Sequence, residues 1–483
     1  MPKISLPLVK EQLLLDYDLR RSDRKGNYTE KLIDILSNDL DFHKYSSNYA
    51  SHNFHSFPAK FPPQLPLQFI IDLTNPNDVV LDPMLGSGTT VLEAFLTGRK
   101  GIGFDIDPLA IKISKVKTTP LKKEKLIRHY HEILRNAKNQ ISQDTKNLEQ
   151  ILISRWDSKT KQFIDYWFAH EIQLELLALV LQISQIEEKD IKTFFELALS
   201  SIIITKSGGV SLALDLAHTR PHKAKVVFSK DVGILFGKDL LNLNGRSSKH
   251  SRLKILTKKL RSPIEEFEKR CIQNIEGLIY DNNKLIKPEI KFGNAQKLPL
   301  EDKSVDLIVT SPPYASNAID YMRAHKFSLV WLGCQIDDLS LKRKEYIGGE
   351  VVTNINYEEL PDFTSGKVIG ISQLDPGRGK VLHRYYSEMT RTLREMYRVL
   401  KPRKAAIVVV GNSIMRGKDT EIQNCLADIG QNIGFKVPKI GVRKLDRNKR
   451  MLPAGIETNT NSQIQQRMYE EFVIGFYKSE GKY

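Results

Sequence analysis

Residues 79–107, VVLDPMLGSGTTVLEAFLTGRKGIGFDID, constrain the fold more than any other stretch of the chain. They read as a strand over Val79–Leu81, a turn over Asp82–Gly88, a helix over Thr89–Leu96 and a second strand over Gly101–Asp105. A strand–turn–helix–strand unit of this size is the building block of a parallel α/β sheet, in which ligands sit at the carboxyl ends of the strands. Gly86 and Gly88 let the backbone approach a ligand closely, and a helix starting near Thr89 offers free N–H groups to a carboxylate or phosphate. Asp105 closes the second strand, the position from which an acid takes ribose hydroxyls.

Three nucleotide-type ligands compete for that turn. A phosphate-cradling loop needs Gly-Lys-Ser/Thr, and here Gly88 is followed by Thr89 and Thr90. A dinucleotide fingerprint needs a third glycine where Val91 stands. S-adenosylmethionine fits better: it carries no phosphate, its ammonium can meet Asp82, and its carboxylate can meet the helix start. A tight glycine turn in a packed α/β protein is the structural alternative.

The α/β rhythm returns near the middle of the chain. Strands are expected at Glu289–Phe292, Val305–Val309 and Ala405–Val410, helices at Tyr385–Leu400 and Glu421–Ile429, and a last strand at Phe472–Tyr477. The Val305 strand ends in Ser311-Pro312-Pro313-Tyr314. Two prolines there stiffen the chain and present Ser311 and backbone carbonyls toward a crevice. An exocyclic amine on a nucleobase is a poor nucleophile because its lone pair is delocalised into the ring. The Ser311 side chain and the Pro312 carbonyl would accept its two hydrogens, draw the nitrogen toward tetrahedral geometry and free the lone pair for in-line attack. Tyr314 would stack on a base flipped out of the duplex. Such catalysis rests on positioning and electrostatics.

Together these segments resemble the amino-methyltransferases of DNA, the cytosine-N4 and adenine-N6 family. DPMLGSGTT (82–90) is similar to that family's cofactor motif and GFDID (103–107) to its ribose motif. GNAQKLPLEDKSVDLIV (293–309) resembles the stretch that contacts the cofactor adenine, and TSPPY (310–314) the catalytic motif. HSFPAKFPP (55–63) resembles the segment that packs on the cofactor's methionine end. The resemblance covers residues 50–115 and 288–477, and it implies a Rossmann-like, doubly wound, mainly parallel sheet. It further implies that Phe57, Pro58, Lys60, Phe61, Asp82, Pro83, Gly86, Ser87, Gly88, Thr89, Thr90, Asp105, Asn294 and Ala295 hold S-adenosylmethionine. Ser311, Pro312, Pro313 and Tyr314 would be catalytic. Met84 stands where the family commonly has an aromatic residue, and Asn294 where it commonly has an acid, although an amide oxygen can still meet the adenine amine.

The expected organisation is an N-terminal arm over 1–50, a cofactor-binding part over 51–116, a largely helical insertion over 117–287 and a catalytic part over 288–483. In this family a target-recognition region can occupy the position of that insertion, which is too long for an ordinary loop. It carries Arg155, Trp156, Tyr166 and Trp167, then HTRPHKAK (218–225) and SSKHSRLKILTKKLR (247–261). Arg220, His222 and Lys223 are candidate DNA contacts, as are Arg443 and Arg447 in a loop over 442–450. The alternative is a helical scaffold with solvated basic faces.

Charge agrees with a polyanionic partner: 73 Lys and Arg stand against 57 Asp and Glu, a formal +16. Cys271, Cys334 and Cys425 form no CxxC pair, which excludes a disulfide framework and suits a reducing cytoplasm. The N-terminus has no secretion-type apolar region, and nowhere do about twenty uncharged apolar residues run together. A prokaryotic cytoplasmic enzyme acting on double-stranded DNA is the reading, with a cognate restriction endonuclease or defence-system proteins as possible companions and no metal requirement. Serine at 311 favours cytosine N4 over adenine N6, which commonly has Asp or Asn there. Cytosine-C5 methylation fails for want of a suitably placed thiolate. RNA guanine-N2 methylation and a non-catalytic DNA-binding subunit remain as alternatives.

Overall fold

The computed structural model describes residues 26–57, 60–205, 209–214, 226–228, 257–278, 285–315, 320–349, 352, 355–445 and 470–480. Its central feature is the union of the two α/β blocks in one sheet. Strand β1 (Val79–Asp82) pairs in parallel with β2 (Lys100–Asp105) on one side and with β4 (Val305–Thr310) on the other. Beyond β2 lies β3 (Glu289–Phe292), also parallel. Beyond β4 lies β5 (Leu400–Gly411), again parallel. Strand β7 (Glu470–Lys478) then runs antiparallel between β5 and β6 (Lys436–Lys444). The order is β6-β7-β5-β4-β1-β2-β3, a seven-stranded and mainly parallel doubly wound sheet.

Burial explains the order. Every residue of β4 is buried, as expected of a central strand covered on both faces, whereas β3 at the edge buries Ile290 alone. Because β1, β2 and β4 are parallel, their ends Asp82, Asp105 and Thr310 lie along one edge of the sheet.

One face is covered by α1 (Tyr28–Ser37) and α2 (Gln64–Leu73), whose Leu32, Ile35, Leu36, Phe69 and Ile70 share an apolar cluster with Leu307, Ile407 and Val473. An Asn27–Glu30 capping box starts α1. Residues 26–42, part of the stretch read as an arm, therefore pack on the sheet. The unit begun by α3 (Thr89–Leu96) continues into α4 (Pro108–Thr118), with Asp107 as its N-cap and Pro108 in its first turn.

Between β2 and β3 the chain is largely helical: α5 (Lys123–Gln143), α6 (Thr145–Ser154), α7 (Ser158–Trp167), α8 (His170–Ser184), α9 (Lys189–Ile203) and α10 (Pro263–Glu276). Their apolar faces join α4 and α11 (Tyr321–Leu329) in one cluster. Trp156 and Trp167 belong to that cluster, 8 % and 7 % exposed, so they form core and not part of a groove-reading surface. Trp156 donates its indole N–H to the Val330 carbonyl at 3.0 Å and meets Trp331 edge-on at 5.2 Å. Tyr166 alone of the aromatic set is exposed, at 47 %.

The remaining helices are α12 (Ile336–Arg343), α13 (Asp362–Leu374), α14 (Pro376–Val399) and α15 (Ile422–Ile433). Helix α14 begins nine residues before the expected Tyr385, because Asp375 caps it and Pro376 occupies its first turn. No helix among the described residues is long and apolar enough to cross a membrane.

Candidate functional site

A cleft open to solvent, of about 620 Å³, lies at the carboxyl edge where β1, β2 and β4 end. Eight of the sequence-derived site residues line it: Phe57, Pro83, Gly86, Asp105, Asn294, Ala295, Ser311 and Pro313. The cofactor loop and the catalytic turn thus open into one space.

The loop after β1 is shaped by its glycines and by two acids. Gly86 and Gly88 take φ of +49° and +71°, the left-handed region that a side chain disfavours. A Cβ at Gly86 would stand 3.2 Å from the Phe57 ring. Asp105 accepts the Gly86 N–H at 2.8 Å and the Asp107 N–H at 2.8 Å. Burial, and then the neighbouring Asp107 carboxylate, push the Asp105 acid up to about 7. Asp107 accepts N–H groups of Leu109 and Ala110 and meets His325 Nδ1 at 2.6 Å. Burial raises its pKa, but His325 and these donors outweigh it and hold the carboxyl below the usual range.

Asp82 is 2 % exposed and stands just behind the cleft wall. It accepts the Thr310 hydroxyl at 2.7 Å and the Met84 N–H at 3.2 Å, tying the cofactor loop to the end of the catalytic strand. Burial raises its pKa to about 6. Ser87, Thr89 and Thr90 are likewise buried: the Ser87 and Thr89 hydroxyls lie 2.9 Å apart, and Thr90 donates to the Val309 carbonyl at 3.1 Å. Gly88 is the N-cap of α3. Lys117, buried to 1 %, donates to the Ser87 carbonyl at 2.7 Å and supports the loop from behind.

Lys60 donates to the His52 carbonyl at 2.9 Å, and Phe61 packs in the cluster on the opposite sheet face. Pro58 lies outside the described residues, as do Arg220, His222, Lys223 and Arg447.

On the catalytic side, Ser311 and Pro313 reach the cleft while Pro312 is buried. Tyr314 is 7 % exposed and does not line the cleft; its hydroxyl donates to Glu471 at 3.0 Å. Glu471 in turn pairs with Arg443 at 2.5 Å, and Arg443 donates from Nε to the Leu40 carbonyl at 3.2 Å. This corrects the reading of Arg443 as a DNA contact. The stretch 442–444 is strand and not loop, and Arg443 sits directly opposite Glu471 across β6 and β7, 5 % exposed. A guanidinium so buried is retained by its carboxylate partner, which leaves it no free face for phosphate.

The sequence reading missed several cleft residues. Met84, Ile106, Asp107 and Gly293 lie inside the quoted motifs, and could have been found by counting every motif position as a candidate. Ala110 opens α4. Tyr321, Tyr346 and Ile347 carry no motif signal; Tyr321 stacks on Phe57 with ring centres 5.1 Å apart and planes 23° from parallel.

The lining suits the cofactor that the loop suggested. Among the described residues no lysine or arginine lines the cleft, while Asp105 and Asp107 do. That is poor company for a phosphate and good company for a ribose and a sulfonium cation. Phe57, Ile106, Ala110 and Ile347 provide apolar surface for an adenine, and Asn294 a polar edge.

Comparison with known proteins agrees. Residues 15–116 match the family model described as DNA methylase. The type II methyltransferase M.MvaI of Kocuria varians is 27% identical over 476 residues, which covers 92% of this chain and 96% of that protein. M.BsoBI of Geobacillus stearothermophilus, also a type II methyltransferase, is 25% identical over 84% of this chain and 83% of its own length. A DNA adenine methyltransferase of Escherichia coli, YhdJ, is 38% identical over 65 residues, 14% of this chain and 22% of that protein. Sheet order, cofactor loop, catalytic turn and relatives converge on the amino-methyltransferases of DNA, the family that this chain resembles, and S-adenosylmethionine is its cofactor.

Proposed function

We propose that this methyltransferase acts on the N4 amine of cytosine in double-stranded DNA. The observation that carries the reading is the placement of Ser311, beside Pro313, in the same cleft as Gly86 and Asp105. A serine hydroxyl both accepts and donates. It can take one amine hydrogen of cytosine and return its own hydrogen to the neighbouring ring nitrogen, a pairing that adenine would also allow. Asp or Asn in this place is the commoner partner of adenine in the family.

Residues Phe57, Gly86, Asp105, Asn294 and Ala295 would hold the cofactor, and Asp82, buried behind them, would supply negative charge toward its ammonium. Bound there, S-adenosylmethionine supplies an electrophilic methyl group on a cationic sulfur. Ser311 Oγ and the Pro312 carbonyl accept the two amine hydrogens, which localises the lone pair on nitrogen. The proton shed by that nitrogen leaves along the hydrogen bond to Ser311 and on to solvent. The Thr310–Asp82 hydrogen bond keeps the two loops in register, so the amine and the methyl meet without a search.

The helices between β2 and β3, with the basic stretches that follow them, are assigned to target recognition, and a cognate endonuclease is the proposed companion. The basic surplus supports the first assignment, and the type II methyltransferases among the relatives support the second.

Nucleoside mass spectrometry on unmethylated DNA, incubated with the protein and cofactor, tests the base. N4-methylcytosine is expected. N6-methyladenine instead would overturn the cytosine assignment and retain the site.

A further inference from the structure

The turn after α12 forms a wall of the cleft without belonging to any motif. Tyr346 and Ile347 both line the cleft, as do Asp105 and Asp107 at the end of β2. The Tyr346 hydroxyl is buried and faces the Asp107 carboxylate, but makes no hydrogen bond of full geometry among the described residues. A buried hydroxyl that a carboxylate meets only at poor geometry is under-satisfied, so one placed in a ligand cleft marks a contact that the ligand completes. Burial, followed by the Asp107 and Asp105 carboxylates, pushes its pKa up, which keeps it a protonated donor.

The turn is held by a pair on α14. Arg384 and Glu388 are 2 % and 5 % exposed and meet at 2.9 Å. Arg384 Nη2 donates to the carbonyls of Lys344 at 3.0 Å and Tyr346 at 3.2 Å. Glu388 Oε2 accepts the Gly348 N–H at 2.8 Å. Gly349 lies so close that a Cβ there would stand 3.1 Å from the guanidinium. A buried ion pair that also bonds three backbone groups of one turn fixes that turn's backbone.

We infer that Tyr346 donates its hydroxyl to the ribose of the cofactor beside Asp105, and that Arg384 and Glu388 are the positioning residues that hold it there. The inference rests on this cleft being the cofactor site. A wild-type protein that fails to bind S-adenosylmethionine would remove that premise. A wild-type protein that binds while Tyr346→Phe binds equally well would remove only the inference.

Isothermal titration provides the test, with S-adenosylmethionine and its 2′,3′-dideoxyribose analogue as the two probes. Tyr346→Phe is expected to weaken binding of the natural cofactor by about three- to tenfold, the worth of one hydrogen bond, and to leave the analogue's affinity unchanged. Equal loss with both probes, or loss with neither, overturns the ribose contact. For the positioning pair, Glu388→Ala is expected to raise the KM for cofactor while kcat at saturating cofactor holds. Glu388→Gln, which keeps an acceptor for the Gly348 N–H, restores most of the loss. A fall in kcat with KM unchanged, or no rescue by the glutamine, overturns the positioning role. If Glu388→Ala fails to fold, the Tyr346→Phe titration with both probes decides alone.

Discussion

The two halves of the cleft are held in different ways. The cofactor loop takes its shape from contacts close in sequence, since Asp105 grips Gly86 across 19 residues and Asp107 caps the helix it begins, and remote bonds from Asp82 to Thr310 and from Asp107 to His325 then anchor it. The catalytic turn depends on a remote partner, since Tyr314 rests on Glu471, 157 residues away, and the cofactor half borrows one wall in the same way, from the turn carrying Tyr346 that Arg384 of α14 holds. A loop built by its neighbours leaves its geometry in a short motif. A loop held by distant strands and helices does not, because its supports can be any residues that the fold brings into range.

The difference can be broken experimentally at Glu471. Glu471→Ala strands the Arg443 guanidinium in a buried site and should cost about 3–5 kcal/mol of stability. The urea midpoint should fall accordingly, and the cofactor affinity of the folded fraction should hold. Adding Arg443→Met should recover much of the loss, since the uncompensated charge is then gone. A Glu471→Ala protein of unchanged stability would mean that Tyr314 is held by other means.

A smaller effect sharpens the cofactor half. Asp105 titrates at about 7, and only its ionised form accepts from both ribose hydroxyls. Cofactor affinity should therefore strengthen as pH rises through about 7 and weaken about tenfold per unit below it. Stability from this group runs the other way. A buried acid whose folded pKa is raised stabilises the fold fully below its unfolded pKa and loses that contribution as pH rises through about 7. Titrations of wild type and Asp105→Asn across this range separate the two, and an equal pH slope in both would assign the dependence elsewhere.

Much of the fold was legible because parallel strands buried on both faces leave unbroken apolar runs. The Val79, Val305 and Ala405 runs were placed correctly, as was the helix over Thr89–Leu96. What failed did so for physical reasons. Strand β6 buries Arg443 and exposes Val442 at 48 %, so its pattern reads as a basic loop. The start of α14 is written in Pro376, Gly377 and Gly379, residues that signal a break unless the cap at Asp375 is recognised. Trp156 looked like a surface aromatic beside Arg155, yet its indole was needed to complete a core shared with Trp331. In the site, the missed residues inside motifs were within reach, whereas Tyr321 and Tyr346 come to the cleft through tertiary packing alone.

The central claim is that one cleft joins a cofactor loop to an amine-activating turn, and Ser311→Ala tests it most directly. Cofactor affinity by titration and methyl transfer to unmethylated DNA should be measured on the same preparation. The account predicts a fall in kcat of about 100-fold or more, the scale of losing one preorganised hydrogen-bonding group, with cofactor affinity unchanged. Undiminished turnover, or loss of cofactor binding in parallel with turnover, would contradict it.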